Sequence, residues 1–555
     1  MAVAFEGGMT GGSLAVTTNL ASASYRIAGP ATYTGTGTSW SYNGAPAGTY
    51  TISFGPVSGY ATPPSQAGTL TAGGTLSFTG TYTPISPPPV TTTLGNTGTT
   101  SNPTGASRDP VNTYTGNYHL SVTDLKVPGR GLAFEFTRTY NSQSSYNGPL
   151  GWGWTHSYDI RVSLDAGTGV VTVQMGDGQQ RMFAPAGGGT YTPQTRGVFE
   201  RLVRNADGSF TMTFKTQARW EFSAAGRLLQ IVDRNGNTHM LGYDGAGWLT
   251  SVTDPSGLVF SFSYDGAGRL VSLSDPLGRM WRYSYDAGGS LASVQEPTGA
   301  VTQYSYDAGC RMTSITDGRG VVIMQNTYDA QGRVSLQRNG RGQATVFAYD
   351  TAAGVTSILD GRGNTSLHSY DAGGRLVAEV DALGGIRASS FDANNLRPAV
   401  WDALGRQTVF AYDGQGNVTQ VRDALGRITR FVYDAQNNLL ETTDAAERTT
   451  RYSYDARGNL VSVTDAGGAA TTYTYDGWGQ LLSVTDARGA VRRYEYDAYG
   501  NRIKEIDPLG NVTEMSYDLA GRLVQTKDAL GRIWRRSYDA ADRLLSDGVP
   551  RVVES

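Results

Sequence analysis

Aspartate is the residue this sequence repeats in a pattern that could carry chemistry. At Tyr264 the chain reads YDGAGRLVSLSDPLGRMWRYS, and at Tyr285 it begins again with YDAGGSLASVQEPTGAVTQYS, so Asp265, Asp275 and Asp286 each head a glycine-containing turn. Paired carboxylates can serve as general acid and nucleophile in glycoside hydrolysis. Their fixed place at the head of every turn points instead to turn capping, in which an aspartate oxygen accepts backbone N–H groups. The run Asp233-Arg234-Asn235-Gly236-Asn237 is similar to a short calcium loop, yet it fills the second-turn slot held elsewhere by DPLGR or DALGR and is expected to be a turn.

Other reactive side chains are sparse. Cys310 stands where other repeats carry glycine and reads as a turn residue. His119, His156, His239 and His368 are far apart and match no zinc-ligand spacing. Trp152, Trp154 and His156 could form a sugar-stacking platform, but an aromatic plug between the lead-in segment and the first repeats is the expected role. No G-x-S-x-G, phosphate-loop or H-E-x-x-H motif occurs. No catalytic, cofactor or metal site is expected, and the protein is read as a non-enzyme.

The elements that must position these residues follow from the period. Tyr-Asp pairs begin at Tyr243, Tyr264, Tyr285, Tyr306, Tyr328, Tyr349, Tyr370, Tyr412, Tyr433, Tyr454, Tyr475, Tyr496, Tyr517 and Tyr538, with Phe222 and Phe391 at two further registers. The step is 21 residues except from Tyr306 to Tyr328, where it is 22. Each unit contains two turns: Asp265 to Gly268 closes one hairpin with a bulge, and Asp275 with Pro276 starts the next. Two turns per unit leave strands of about five to seven residues. Alternation places Phe262 and Tyr264 opposite Val271 and Leu273 on one face. The pattern recurs as Tyr473, Tyr475, Leu482 and Val484, and the turn as Tyr454, Asp455 and Gly458. A single hairpin buries too little apolar surface to fold alone, so successive hairpins are expected to pair edge to edge into one long antiparallel ribbon. Strand twist should coil that ribbon into a shell with an inside and an outside.

Composition bounds the rest. Glycine supplies 73 of 555 residues and tyrosine 32 against 16 phenylalanines, which suits tight turns and half-exposed strands. A net charge of −3 without a basic block excludes the footprint of a nucleic-acid binder. No apolar run is long enough to span a membrane as a helix, and no signal peptide is readable in MAVAFEGGMTGG. Residues 1–84, rich in Thr and Gly, read as a small antiparallel β-sandwich, 85–107 as a Pro/Thr/Ser/Gly linker stiffest at Pro87 to Pro89, and 108–221 as a β-rich lead-in or plug domain. The repeat array follows over 222–546, with an out-of-register tail over 547–555. The expected fold is all-β throughout.

The unit YDAxGRLxxxxDxxGRxxxYxYD resembles the Tyr-Asp repeats of Rhs proteins, Tc-toxin shells and teneurins. The segment DPVNTYTGNYHLSVTDLKVPGRGLAFEFTRTYNS, followed by GPLGWGWTHSYD, looks like the domain that precedes such repeats in bacterial Rhs and wall-associated proteins. The resemblance implies a secreted or cell-surface β-shell that encloses and delivers a C-terminal toxin between competing cells. Its partner would be that cargo or a downstream segment of the same polypeptide. The family's self-cleaving closing module is not found after Tyr538, and the DPLG motifs at Asp275 and Asp507 read as ordinary second turns, so the chain is expected to be an incomplete shell with an unpaired last edge. The alternative is a cell-surface adhesin whose tyrosine-rich ribbon and N-terminal module bind glycans.

Overall fold

A computed structural model describes residues 11–84 apart from 22, 56, 58, 59 and 62, then residue 106, residues 110–548 and residues 551–552. All regular elements are strands. The linker expected over 85–107 lies outside the described residues apart from 106, as does the tail at 549, 550 and 553–555. The described chain forms two compact units, the smaller comprising the N-terminal strands with the segments Tyr285–Ser290 and Tyr306–Met312.

The N-terminal strands make two principal sheets around a core of Leu14, Val16, Ile27, Tyr50, Ile52 and Phe78. One sheet orders Tyr33–Thr36, Ser24–Ala28, Gly48–Phe54 and Gln66–Leu70, all antiparallel. In the other, Gly12–Thr18 pairs antiparallel with Ser39–Ala45 but parallel with Thr75–Gly80. The fully antiparallel sandwich expected from alternation is corrected here: neighbours joined by a long excursion through the opposite sheet are free to run the same way.

The larger unit contains the ribbon. A 39-stranded sheet runs in sequence order from Arg161–Leu164 to Arg551–Val552, successive strands being neighbours up to Leu544–Asp547. It starts well before Phe222, because residues 161–221 already form bulged and simple hairpins without Tyr-Asp pairs. At the far end Arg551 and Val552 pair with Ile533 and Arg532, on the same strand, Arg532–Tyr538, that Leu544–Asp547 joins.

Most Tyr-Asp hairpins carry a bulge at a fixed place, whereas the one at Tyr349 and Asp350 pairs without a shift. In the pair Val259–Tyr264 with Leu270–Ser274, Ser263 faces Ser272 while Tyr264 faces Leu270, so Val271 has no partner. The inserted residue changes the inward spacing after the turn from two to three, and Leu270 and Leu273 are buried while Val271 is only half-buried. The expected inward pair Val271 and Leu273 is therefore corrected to Leu270 and Leu273. Likewise Leu481 takes the place of Leu482, which is exposed. The lone 22-residue step is absorbed the same way: Ile315 pairs with Met324 and Thr316 with Val322, leaving Ile323 bulged and exposed.

Within this unit the ribbon returns on itself. Second turns of its early part meet Tyr-Asp turns of its late part: Gln217 donates to the Gln436 carbonyl at 3.2 Å, Asn237 to the Trp478 carbonyl at 2.9 Å, and Arg279 to the Ala540 carbonyl at 3.2 Å. Arg234 also reaches the Gly458 carbonyl, and Arg279 the Asp542 carboxylate. The two rows of turns therefore differ in surroundings. Gly268 and Gly278 have nearly equal φ, 78° and 76°, but a Cβ at Gly268 would lie 2.1 Å from Trp248 Cζ2, whereas one at Gly278 would meet nothing within 4 Å. Replacing Gly278 by Ala should cost about 1 to 2 kcal/mol, the left-handed penalty alone, and Gly268→Ala clearly more. Urea melts of the two variants check this, and equal losses would contradict it.

Candidate functional site

Three groups of residues could be functional: the turns, the inner face of the ribbon and the lead-in strands against it. In the turn at Asp265, the carboxylate Oδ1 accepts the N–H groups of Ala267 and Arg269, both at 2.9 Å, and Arg269 Nε donates to Oδ2 at 2.8 Å. The Gly268 N–H closes the turn onto the Asp265 carbonyl at 3.0 Å. Asp455 repeats the pattern with Arg457 and Asn459, and Gly458 has φ 85°. Asp286 accepts the Ser290 N–H at 2.9 Å. Asp275 caps Leu277 and Arg279, and Asp507 caps Leu509 and Asn511, so both DPLG motifs are second turns. Asp233 caps Asn235 and Asn237, with Asn237 Nδ2 donating to its Oδ2 at 2.6 Å, which commits that carboxylate to the turn. Cys310 occupies the left-handed turn position with φ 58° and is buried, which pushes its thiol upward.

Several turn carboxylates titrate below their ordinary range. The Arg406 side chain beside Asp402, and likewise Arg427 beside Asp423, holds the carboxyl below its ordinary range. At Asp455 burial works the other way but is outweighed by the side-chain and backbone donors of Asn459.

The repeat tyrosine has a role that its spacing hid. Tyr243, Tyr349, Tyr412, Tyr454, Tyr496 and Tyr538 donate their hydroxyls to the carbonyls of Leu228, Val334, Arg397, Leu439, Leu481 and Leu523. Each acceptor lies 15 residues upstream and is the first residue after the preceding turn, which is bulged in every case except that before Arg397. The tyrosine thus ties its hairpin to the previous one at the point where the bulge disturbs the ladder, and phenylalanine cannot do this. Tyr264 stacks on Trp248 with centroids 5.6 Å apart, and Tyr285 ends the strand Met280–Tyr285. Tyr454→Phe is expected to lower stability by about 1 kcal/mol with no change in fold. A denaturation midpoint unchanged from the parent would contradict the bond.

The lead-in strands lie against the inner face of the early ribbon. In the strand Phe134–Asn141, Phe134 stacks on Phe260 with centroids 3.6 Å apart, and Phe136 lies 5.6 Å from Phe262. Arg138 is buried and forms a two-pronged pair with Asp124, at 2.6 and 2.8 Å, with Tyr283 donating to Asp124 at 2.8 Å and Arg138 to the Tyr304 hydroxyl at 3.3 Å. Burial opposes the Arg138 charge, but Asp124, with Tyr304 and Tyr283, more than offsets it and the guanidinium titrates above its ordinary range. The loop at Thr113 joins His368 Nδ1 at 2.7 Å and the Tyr370 hydroxyl. Lead-in carbonyls also accept from the first residue after a bulged turn: Pro149 from the Leu270 N–H at 2.7 Å and Gly116 from the Val334 N–H at 2.9 Å.

The aromatic trio divides. Trp154 is fully buried, 5.2 Å from Tyr140 and 5.4 Å from Tyr304. His156 is buried beside Phe136 at 5.0 Å. Trp152 belongs to the separate two-residue strand Gly151–Trp152, paired with Asn147. A three-residue sugar platform is therefore not formed. Burial pushes the His156 imidazole down to about 3, and lowers His119 and His239 as well. Histidines that stay neutral when folded but bind protons near pH 6.5 when unfolded subtract stability as the pH falls below that value. Stability should therefore decline between about pH 6.5 and pH 4, and His156→Gln should flatten part of that slope in pH-resolved urea melts. An unaltered slope would show that His156 does not carry it.

These features define a protein of Tyr-Asp hairpin repeats with a dedicated lead-in. The chain belongs to the RHS-repeat family. The family described as RHS Repeat matches residues 222–259, 243–280, 264–301, 285–322, 391–428, 433–470, 454–490, 475–512 and 517–548. A domain of unknown function, DUF6531, matches residues 108–183. The tRNA nuclease WapA of Bacillus subtilis (strain 168) is 32% identical over 136 residues, which are 24% of this chain and 6% of that protein. The tRNA3(Ser)-specific nuclease WapA of Bacillus spizizenii matches to the same extent, so the chain spans 6% of the length of these relatives. Among solved structures, the TcdB2-TccC3-Cdc42 crystal structure is similar over 77% of this chain and 29% of that one, at 14% identity and TM-score 0.44. The Photorhabdus luminescens Tc holotoxin pore is similar over 77% and 27%, also at 14% identity and TM-score 0.44.

Proposed function

We propose that the chain is a structural scaffold, part of the β-shell of an Rhs-like protein that acts outside the cell and encloses a toxic cargo for delivery to competitors. The cargo is a downstream segment of the same polypeptide. The observation that carries this reading is a contrast along one face of the ribbon. Phe260, Trp281, Tyr283, Tyr304 and Phe347 are buried where the lead-in domain adjoins the early ribbon, whereas Phe410, Phe431, Tyr452, Tyr473, Tyr494 and Trp534, at matching strand positions, are only half-buried. A wall of half-exposed aromatics and valines interspersed with Thr429, Thr450 and Thr471 suits an unfolded or partly folded chain, which offers both apolar side chains and backbone groups. The nuclease names of the Bacillus relatives are consistent with a toxic passenger, and nothing in the turns supplies catalysis to the ribbon itself. Among the described residues no helix is long and apolar enough to cross a membrane.

A small reporter domain appended after Ser555 tests the proposal. Under limited trypsin digestion the reporter should be degraded much more slowly than when free, and Phe431→Asp with Tyr473→Asp should abolish that protection. Digestion at the free rate would contradict enclosure.

Glycan adhesion is the second reading, favoured by a polar cavity of about 480 Å³ in the lead-in region and early ribbon, lined by Asn117, Asn141, Gln143, Tyr146, Asn147 and Gln174. Saturable binding on a glycan array, lost in Asn147→Ala, would favour it over enclosure.

A further inference from the structure

The face of the ribbon turned away from the lead-in strands changes character midway along the array. In hairpins on either side, the cross-strand pairs on that face are polar: Ser261 faces Ser274, Arg430 faces Thr443 and Arg451 faces Thr464. Over three consecutive hairpins the same two places are apolar. Val346 faces Leu359, Leu367 faces Val380, and Ala388 faces Trp401. Their strand neighbours Phe347, Ile358 and His368 point the other way and are buried, His368 against Thr113. Val346, Leu359 and Leu367 are 37%, 39% and 36% exposed, and Ile386, which faces Val380, is 54% exposed. An antiparallel sheet with one solvated face ordinarily keeps that face polar, so exposed aliphatic side chains gathered on one stretch mark a contact surface.

Dimensions and charge narrow the occupant. The strip extends over eight strands, from Leu336, which faces Val346, to Val409, which faces Ala399. At about 4.8 Å per strand it is roughly 35 Å long, and two outward residues along each strand make it about 10 Å wide. That is on the order of 350 Å² per partner, well below the roughly 800 Å² of a stable protein–protein interface. Arg338 lies at one end and Arg422, which faces Val409, at the other, both exposed, and the strand positions on this face between them carry no charge. In a twofold face-to-face dimer these arginines would meet each other, so both area and charge speak against a second copy. The strands pair on both sides and offer no backbone edge. An extended segment laid on the strip would leave its own N–H and C=O groups unpaired against aliphatic side chains, whereas a helix satisfies its own. A helix is also about 10 Å across, and roughly 35 Å of it is about 23 residues. The side chains of the strip are no more than 54% exposed, too shallow to enter a bilayer.

We propose that this strip seats an amphipathic helix of a partner protein, apolar along one face and carrying carboxylates at its two ends. Val346, Leu359, Leu367, Val380, Ile386 and Trp401 receive its apolar side chains, and Arg338 and Arg422 pair with its acidic ends. Ser357, which faces Leu367, and Ala378, which faces Ala388, are small and let the helix approach closely. The seat is on the opposite face from the aromatic wall assigned to cargo, so it stands independently of enclosure.

The probe is a fluorescein-labelled synthetic peptide of about 23 residues, alanine-based, with leucines at i, i+3, i+4 and i+7 spacing and glutamates at both ends. Its anisotropy should rise saturably with the full chain. Leu367→Asp with Ile386→Asp should weaken binding at least tenfold, whereas Thr472→Asp, at the matching place on a polar hairpin, should leave it unchanged. A peptide ending in lysines should bind at least tenfold more weakly, and Arg338→Glu with Arg422→Glu should reverse that preference. A second reading needs no added charge: in a Cys310→Gly background, alkylation of Leu367→Cys by N-ethylmaleimide should slow at least tenfold under saturating peptide. Absence of binding, equal alkylation rates, or affinity that Leu367→Asp with Ile386→Asp leaves intact would overturn the proposal. So would dimerisation of the parent chain that the same pair abolishes, because the occupant would then be a second copy. Binding to phosphatidylcholine/phosphatidylglycerol vesicles that the pair abolishes would overturn it too, by making the occupant a lipid surface.

Discussion

One carboxylate oxygen accepting two backbone N–H groups closes almost every hairpin of the ribbon, and the rest of the structure depends on it. The capped turn fixes where the strand ends, and the residue after it enters the next strand one place out of step. That offset makes the bulge, and the bulge turns Leu270 and Leu273 inward together. It also frees one N–H and one carbonyl per unit. At Leu228, Val334, Leu439, Leu481 and Leu523 the carbonyl receives the hydroxyl of the next repeat's tyrosine, and in places the N–H finds a lead-in carbonyl. The Tyr-Asp pair is thus a mechanical unit: the aspartate makes the irregularity and the tyrosine of the neighbouring repeat satisfies it.

Much of this was legible in the residues. The period gave the hairpins, and Asp, Gly and Pro at fixed offsets gave the turns, because those side chains have few other reasons to recur together. The inward face was misread at Val271 because strict alternation assumes one residue per ladder position, and a bulge breaks that rule without a sequence mark. The upstream start at Arg161 was missed because residues 161–221 form hairpins with Thr, Gly and Gln turns in place of Tyr-Asp. The parallel pairing of Thr75–Gly80 could not be read either, since alternation sets a strand's faces and not its direction.

Function was less legible, for a physical reason. A repeat writes the same residues into places with different surroundings, so sequence alone cannot distinguish Arg279, sequestered under a later turn, from Arg427, which faces solvent. Nor could it distinguish Phe262, buried near the lead-in strand, from Phe431 on the open wall. The packing of the lead-in strands was partly visible as a Gly/Trp cluster, yet only Trp154 and His156 of its three aromatic positions enter the core. Arg138 and Asp124, which anchor the lead-in strand to Tyr283 and Tyr304, gave no signal because their partners lie far along the chain.

The central claim is that the ribbon winds back so that early second turns support late Tyr-Asp turns. Cysteines placed at Gln217 and Gln436 in a Cys310→Gly background test it directly, since Gln217 donates to the Gln436 carbonyl and Cys310 shows that cysteine tolerates the left-handed backbone found at position 217. A short bismaleimide should join the two thiols within one folded chain, giving a single species of altered mobility after denaturation. Absence of that species, or cross-links formed only between chains, would contradict the winding.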